Sequence, residues 1–435
     1  MSKPASLSLD QAPPIGVPLR FFLTAPLFAL TAALLLLWQG PDLFSSRWNP
    51  ALLGLTHLLT LGFIGLTMLG AILQMLPVVA SAPMRRPVLI ATFVHALGTG
   101  GIGLLCYGLI FTAPLALQIA LPTLGTVFLL FSALVVITIR RSPAHNMTAR
   151  AMRLAALMLA ATVLLGLILL SNHAFGWWLQ TREILTNLHL TWGLLGWIGI
   201  LVVGVAYQVV PMFQLTPPYP ATLTRWLAAL LFILLLGLAP ASHFPTLLIV
   251  LKAMLAAGFA SFALTTLWLQ SQRRRTLPDV TLSFWHGGMI SLLLAVSLWL
   301  AAQCVPAWGV TQSYGLLLGT LMIVGFAMSV INGMLYKIVP FLVWFHLQSR
   351  RGANGPKVPN VRELLPESRT RRQMRLHFFA LGALLAAVLS PSIFTYPAAL
   401  LFGASSLWLW LNMVSASRTF RKVNALLGQT TASAG

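Results

Sequence analysis

Long apolar runs separated by short polar interruptions dominate the chain. Runs long enough to cross a hydrocarbon core of about 30 Å, which takes roughly 20 helical residues, recur twelve times. They fall near 19–39, 51–79, 88–112, 114–139, 152–172, 187–213, 223–240, 244–270, 282–303, 311–346, 375–391 and 395–415. The pattern predicts an all-α polytopic membrane protein: a tail (1–18), one twelve-helix transmembrane domain (19–415), a basic loop within it (347–374) and a second tail (416–435).

Within the apolar runs a second pattern repeats every fourth helix. The second run carries Gly62, Phe63, Gly70, Gln74 and Pro77; the sixth carries Gly196, Trp197, Gly204, Gln208 and Pro211; the tenth carries Gly325, Phe326, Gly333, Lys337 and Pro340. The spacing is identical in all three. Glycines eight apart lie about 80° apart around a helix and so form a stripe that a neighbouring backbone can approach closely. Each proline frees a carbonyl one turn back, and the Gln or Lys beside it is a candidate partner. A period of four helices predicts three pseudo-symmetric four-helix units around a threefold axis.

Composition agrees with the pattern and adds an orientation. Of 435 residues, 58% are hydrophobic and 8% charged, whereas soluble domains are about a quarter charged. The net charge of +21 is distributed unevenly. With the N-terminus cytoplasmic, 23 of the 27 Lys and Arg residues fall on cytoplasmic segments; the outer loops hold only Arg47 and Arg182, while Lys252 and Lys337 lie within helices. The charge therefore predicts a membrane protein with both termini cytoplasmic. A nucleic-acid partner need not be invoked, because no basic face is interleaved with aromatics outside the spans. The basic stretch 349–375, the loop with the first residue of the next run, holds eight Lys or Arg against two Glu and suits anionic lipid. The N-terminal segment has no cleavable signal pattern. Cys106 and Cys304 lack metal or redox spacing, and core packing is the expectation for Cys106.

The twelve-helix plan, with the repeated helices at positions two, six and ten, resembles subunit I of the haem-copper oxidases and nitric oxide reductases. His57 with Gly62, Phe63, Gly70 and Pro77 resembles the signature of the NnrS family, membrane proteins of the nitric oxide response described as containing haem and copper. The resemblance implies haem b, with copper as a further cofactor, a redox partner or respiratory complex, and a bacterial inner membrane as the location. By the same resemblance His57 matches a haem-ligating histidine and His189 roughly matches a copper ligand. Met322 stands near the tenth-helix position aligned with His57 and could substitute a thioether. There are departures. Helix seven has no histidine pair, helix ten has no HxH, and Leu58 follows His57 where NnrS proteins carry Glu. A complete oxygen-reducing dinuclear centre is not expected.

Read from the residues alone, the nine histidines form two layers. His57, His173, His189 and His243 fall on the outer side; His95, His145, His286, His346 and His377 fall on the inner side. Neutral imidazole ligates haem iron and copper without adding charge. It is also a common buried hydrogen-bonding group, so ligand and structural roles both stand for His57 and His189. On a helical wheel His57 lies about 220° and His189 about 20° from the first repeat glycine, which suits two separate ligands or one cofactor between units. His95 and His286 could form an inner metal site or proton entry with the polar layer of Gln74, Gln208, Lys337, Tyr207 and Tyr336; anchoring of helix ends is the alternative.

All six acids fall outside the apolar runs, which disfavours proton-coupled transport and proton pumping. Three functions follow as expectations. The first is a haem-binding, oxidase-like membrane protein linked to the nitric oxide response or respiratory electron transfer. The second is a small-solute transporter or permease. The third is a non-catalytic assembly or sensor subunit.

Overall fold

The computed structural model describes residues 11–141, 146–177, 180–274, 277, 279–351 and 357–432. His145 lies outside them. Among these residues the chain is all-helical. Twelve helices are long and apolar enough to cross a membrane: α1 Gly16–Ser45, α2 Pro50–Val79, α3 Pro87–Ile110, α4 Pro114–Arg140, α5 Met147–Phe175, α6 Arg182–Gln214, α7 Ala221–Ala241, α8 Pro245–Ser271, α9 Val280–Cys304, α10 Gln312–Arg350, α11 Glu367–Leu389 and α12 Pro391–Gln429. With twelve spans the two chain ends share one face, called proximal below; the opposite face is distal.

The two largest departures from the expected boundaries are both on the proximal side. Helix α11 begins at Glu367, inside the expected loop, and α12 continues to Gln429, inside the expected tail. Polar helix there needs no apolar run. It is held by an ion pair one turn apart, Arg371 with Glu367, and by Arg350 at the end of α10 donating to Asn424 Oδ1 at 2.7 Å. Most described acids sit at a helix start, where the dipole favours negative charge: Glu183, Glu363 and Glu367 in first turns and Asp279 as the N-cap of α9, whereas Asp42 lies in the 3₁₀ segment Gly40–Ser45 that ends α1.

The repeated helices α2, α6 and α10 are not uniform α-helices. Each contains an eight-residue π-helical segment, Leu58–Gly65, Trp192–Gly199 and Leu321–Met328. All three segments occupy the same register against the repeat, starting four residues before its first glycine. The segment of α10 contacts those of both α2 and α6. The glycine contacts also recur. In α2, α6 and α10 the first glycine faces Phe28, Met158 and Ser291, and the second faces Phe21, Ala151 and Phe284. Those partners lie seven residues apart on the preceding helix, α1, α5 or α9. An added Cβ at any of the six glycines would come within 2.2–2.8 Å of its neighbour, so close helix approach is what requires glycine. The helices α1 and α12, first and last in the chain, pack together along their length.

A paired-histidine cavity at the distal end

The distal half of the bundle encloses a cavity of about 1270 Å³, lined from all twelve helices. Its walls are chiefly apolar, with Trp197 of α6 and Phe259 of α8 among them. Its floor includes the π-helical residues Met322, Ile323 and Val324. A π turn takes more residues than an α turn, so it widens the helix and changes the direction of every side chain before it.

His57 ends the α-helical part of α2, immediately before the π segment. His189 lies in the last turn before the π segment of α6. Both line the cavity, with ring centroids 6.3 Å apart and planes inclined by 26°. Of the two arrangements the wheel left open, the structure brings these residues to one place. Each ring is oriented by a backbone carbonyl. His57 Nδ1 donates to Leu53 O at 2.7 Å, and His189 Nδ1 donates to Thr162 O of α5 at 2.9 Å. A carbonyl only accepts, so in each neutral imidazole the proton is on Nδ1 and Nε2 keeps its lone pair. Ligating histidines are held this way, with the second nitrogen donating to a carbonyl or carboxylate. Gly166 of α5 makes room for His189, and the Thr162 hydroxyl, buried on the cavity wall, has no hydrogen-bond partner among the described residues.

Several cavity residues had no assigned role in the sequence reading. His173, from the end of α5, lines the same space. Arg47 and Arg182 both lie over the ring of Trp48, at 4.6 and 5.2 Å from its centroid. Lys252, eight residues into α8, lines the wall. The available signal was topological: these are three of the four basic residues outside the expected cytoplasmic segments. Met322 lines the cavity as well, consistent with its place in the repeat.

The proximal candidates do not converge. His95 Nε2 bonds Thr24 Oγ1 at 2.9 Å and its ring meets Phe21 edge-on. His286 is half-buried on α9. Tyr336 Oη accepts from Asn412 Nδ2 at 2.9 Å, and Tyr207 Oη reaches Leu223 O at 3.5 Å. Gln74 is buried with its Oε1 unpartnered, and Gln208 is half-buried without a hydrogen bond among the described residues. Neither supplies the carbonyl freed by the proline. Lys337 is not simply drawn toward the surface; it forms an ion pair with Asp279. Among the described residues no group of three His, Cys, Asp or Glu is arranged to hold a metal. His243 is exposed, and His346 is held by the carbonyls of Leu342 and Pro13. Cys106 is buried and Cys304 exposed, both as free thiols.

His377 of α11 is the residue whose setting the layer argument missed. It is buried, with Nε2 2.8 Å from Ser329 Oγ and Nδ1 3.3 Å from Asn332 Nδ2. Asn332 must donate, so Nδ1 accepts and the Nε2 proton goes to Ser329. Both ring nitrogens are satisfied, which makes this histidine a clamp between α10 and α11. The repeat hid it, because the positions equivalent to Ser329 and Asn332 are Leu66 and Leu69 in α2 and Ile200 and Val203 in α6.

No family model matches the chain, and no curated protein matches it. The functional reading therefore rests on the distal cavity.

Proposed function

We propose that the protein is a haem-binding integral membrane protein on an oxidase-like scaffold of three four-helix units, with His57 and His189 as the two protein ligands of one haem in the distal cavity. The observation that carries this reading is the pair of histidines on one cavity, with ring centroids 6.3 Å apart and each Nε2 left as the ligating nitrogen by a backbone acceptor on Nδ1. Two histidines without a third convergent ligand suit a metal that brings its remaining donors with it, as a macrocycle does. Copper(I) between two imidazoles is the second reading, and the size and apolar walls of the cavity favour the macrocycle.

Bound there, haem would supply one-electron chemistry. The chain's own part is to fix the imidazole tautomers through Leu53 and Thr162, to admit the His189 ring beside Gly166, and to keep water from the floor with buried Met322, Ile323 and Val324. Held by both His57 and His189, haem would serve electron transfer in a respiratory membrane rather than turnover of nitric oxide. The matched π segments and glycine contacts in α2, α6 and α10 support the three-unit arrangement. The basic residues gathered at the proximal face support cytoplasmic termini and an inner-membrane location.

The test is an absorption spectrum of the purified protein with metal analysis. A Soret band whose low-spin form is lost in His57→Ala is expected. A folded, colourless protein that takes up no added haem refutes the reading, and copper without haem transfers the site to the second one.

A further inference from the structure

We infer that Arg47, Arg182 and Trp48 form a carboxylate-binding subsite at the distal cavity, which takes the acidic edge of an amphiphilic ligand whose apolar body lies between the histidines. The inference rests on the haem reading for the identity of that body, and on separate observations for the site itself. A basic residue on the outer face works against the insertion bias that collects Lys and Arg inside. This chain has only two such loop residues, more than a hundred positions apart in sequence, and the fold places both on one indole.

Their arrangement calls for an anion. Two guanidiniums within 5.2 Å of the same ring centroid repel each other, and cation–π attraction to Trp48 only partly offsets that. Arg47 donates to the neutral Asn187 Oδ1 at 2.7 Å, and the Arg182 guanidinium has no hydrogen-bond partner among the described residues. Neither forms an ion pair among the described residues. Lys252 adds a third cation to the cavity wall, also without an ion-pair partner among the described residues, and an unpaired cation within a span is costly. Against these three charges the lining holds one acid, the exposed Glu183. The guanidinium fork matches a carboxylate with two parallel hydrogen bonds, and Trp48 keeps the forks in place.

The shared chemistry is a carboxylate, which can belong to a bound macrocycle or to a free small acid. Three probes separate the sources, applied to the full chain in nanodiscs: iron protoporphyrin IX, its dimethyl ester, and formate alone. The wild type is expected to bind the free-acid macrocycle at least tenfold more tightly than the ester. That preference should fall to within about twofold in the R47Q/R182Q variant, and K252M should reduce it partly. Equal binding of acid and ester by the wild type, or a preference unchanged in R47Q/R182Q, overturns the proposal. If neither macrocycle binds, the haem reading fails while formate still judges the subsite. Formate raising the melting temperature of the wild type but not of R47Q/R182Q supports a site for free carboxylates, and no such difference overturns it. Monodisperse elution of each variant establishes that it folds.

Discussion

Gly166 and His189 fit so closely that no side chain can be added between them: a Cβ on Gly166 would stand 2.9 Å from His189 Cε1 and 3.4 Å from Nδ1. The ring cannot back away without losing its hydrogen bond to Thr162 O. Gly166→Ala is therefore expected to move the imidazole while leaving the bundle folded. Overpacking of this kind costs about 1–3 kcal/mol, and the movable ring places the cost at the lower end. The check pairs a thermal melt with a haem titration. A melt close to wild type together with a displaced or weakened Soret band is the expected result, and an unchanged spectrum shows that His189 Nε2 is not a ligand.

The two histidines differ in what holds them. His57 hydrogen-bonds within its own helix, whereas His189 depends on α5. If both ligate one iron, His57→Ala and His189→Ala should each convert a low-spin spectrum to a high-spin one, and added imidazole should restore it. His57→Ala alone changing the spectrum would assign His189 to structure. Thr162 contributes its carbonyl and not its side chain, so Thr162→Val should leave the spectrum as it was.

The scaffold was far more legible than the site, for identifiable reasons. Gly62, Gly196 and Gly325 were visible because close approach leaves no substitute for glycine, and the spacing of apolar runs follows from bilayer thickness. Whether His57 meets His189 was left open by the sequence. A wheel at 100° per residue assumes continuous α-helix, yet the path from each histidine to its reference glycine enters a π segment. Nothing local in Leu58–Gly65 announces π geometry. Lys337 showed the same limit. Its polarity could be read, but its partner Asp279 is a cap on another helix, 58 positions away. Arg47 and Arg182 were noticed only as exceptions to the charge bias, and their common contact with Trp48 required the fold.

Asp279 performs two tasks that substitution can separate. Its Oδ1 accepts from Thr281 N at 2.8 Å, capping α9, and its Oδ2 pairs with Lys337 of α10. Asp279→Asn keeps the cap and removes the charge, while Asp279→Ala removes both. Loss of an N-cap costs about 1 kcal/mol, so Ala should melt below Asn by that margin. Asn should in turn melt below wild type, since Lys337 is left near the membrane without its counter-charge. Combining Lys337→Gln with Asp279→Asn should recover part of that loss. No recovery would mean that the pair contributes little beyond the cap.

His377 offers a contrasting case, a histidine whose both nitrogens are occupied. His377→Ala leaves the buried Ser329 hydroxyl and the Asn332 amide short of partners and opens a void, with a cost for each unpaired polar group of about 1–3 kcal/mol. A lower melting temperature with an unchanged Soret maximum is expected. A spectral change without loss of stability would tie this clamp to the cavity above it.

The six repeat glycines should differ in tolerance according to what each would strike. At Gly196 the nearest atom is Met158 Cε at 2.7 Å, the far end of a flexible side chain, although Met158 Cβ follows at 3.1 Å. At Gly62 it is the Phe28 ring base, with Cγ at 2.4 Å and Cβ at 2.6 Å, and that stem cannot swing clear. At Gly204 the Cβ of Ala151 stands at 2.2 Å with its Cα at 3.4 Å. Alanine there has no side chain left to move, so the helices α5 and α6 must separate. Alanine substitution should therefore destabilise least at Gly196, more at Gly62 and most at Gly204, where widening the α5–α6 contact also shifts Thr162 relative to His189. Thermal melts of the three variants rank the contacts. If Gly204→Ala is the mildest, helix separation is cheaper here than side-chain repacking, and the close approach of α5 to α6 is not what holds His189 in place.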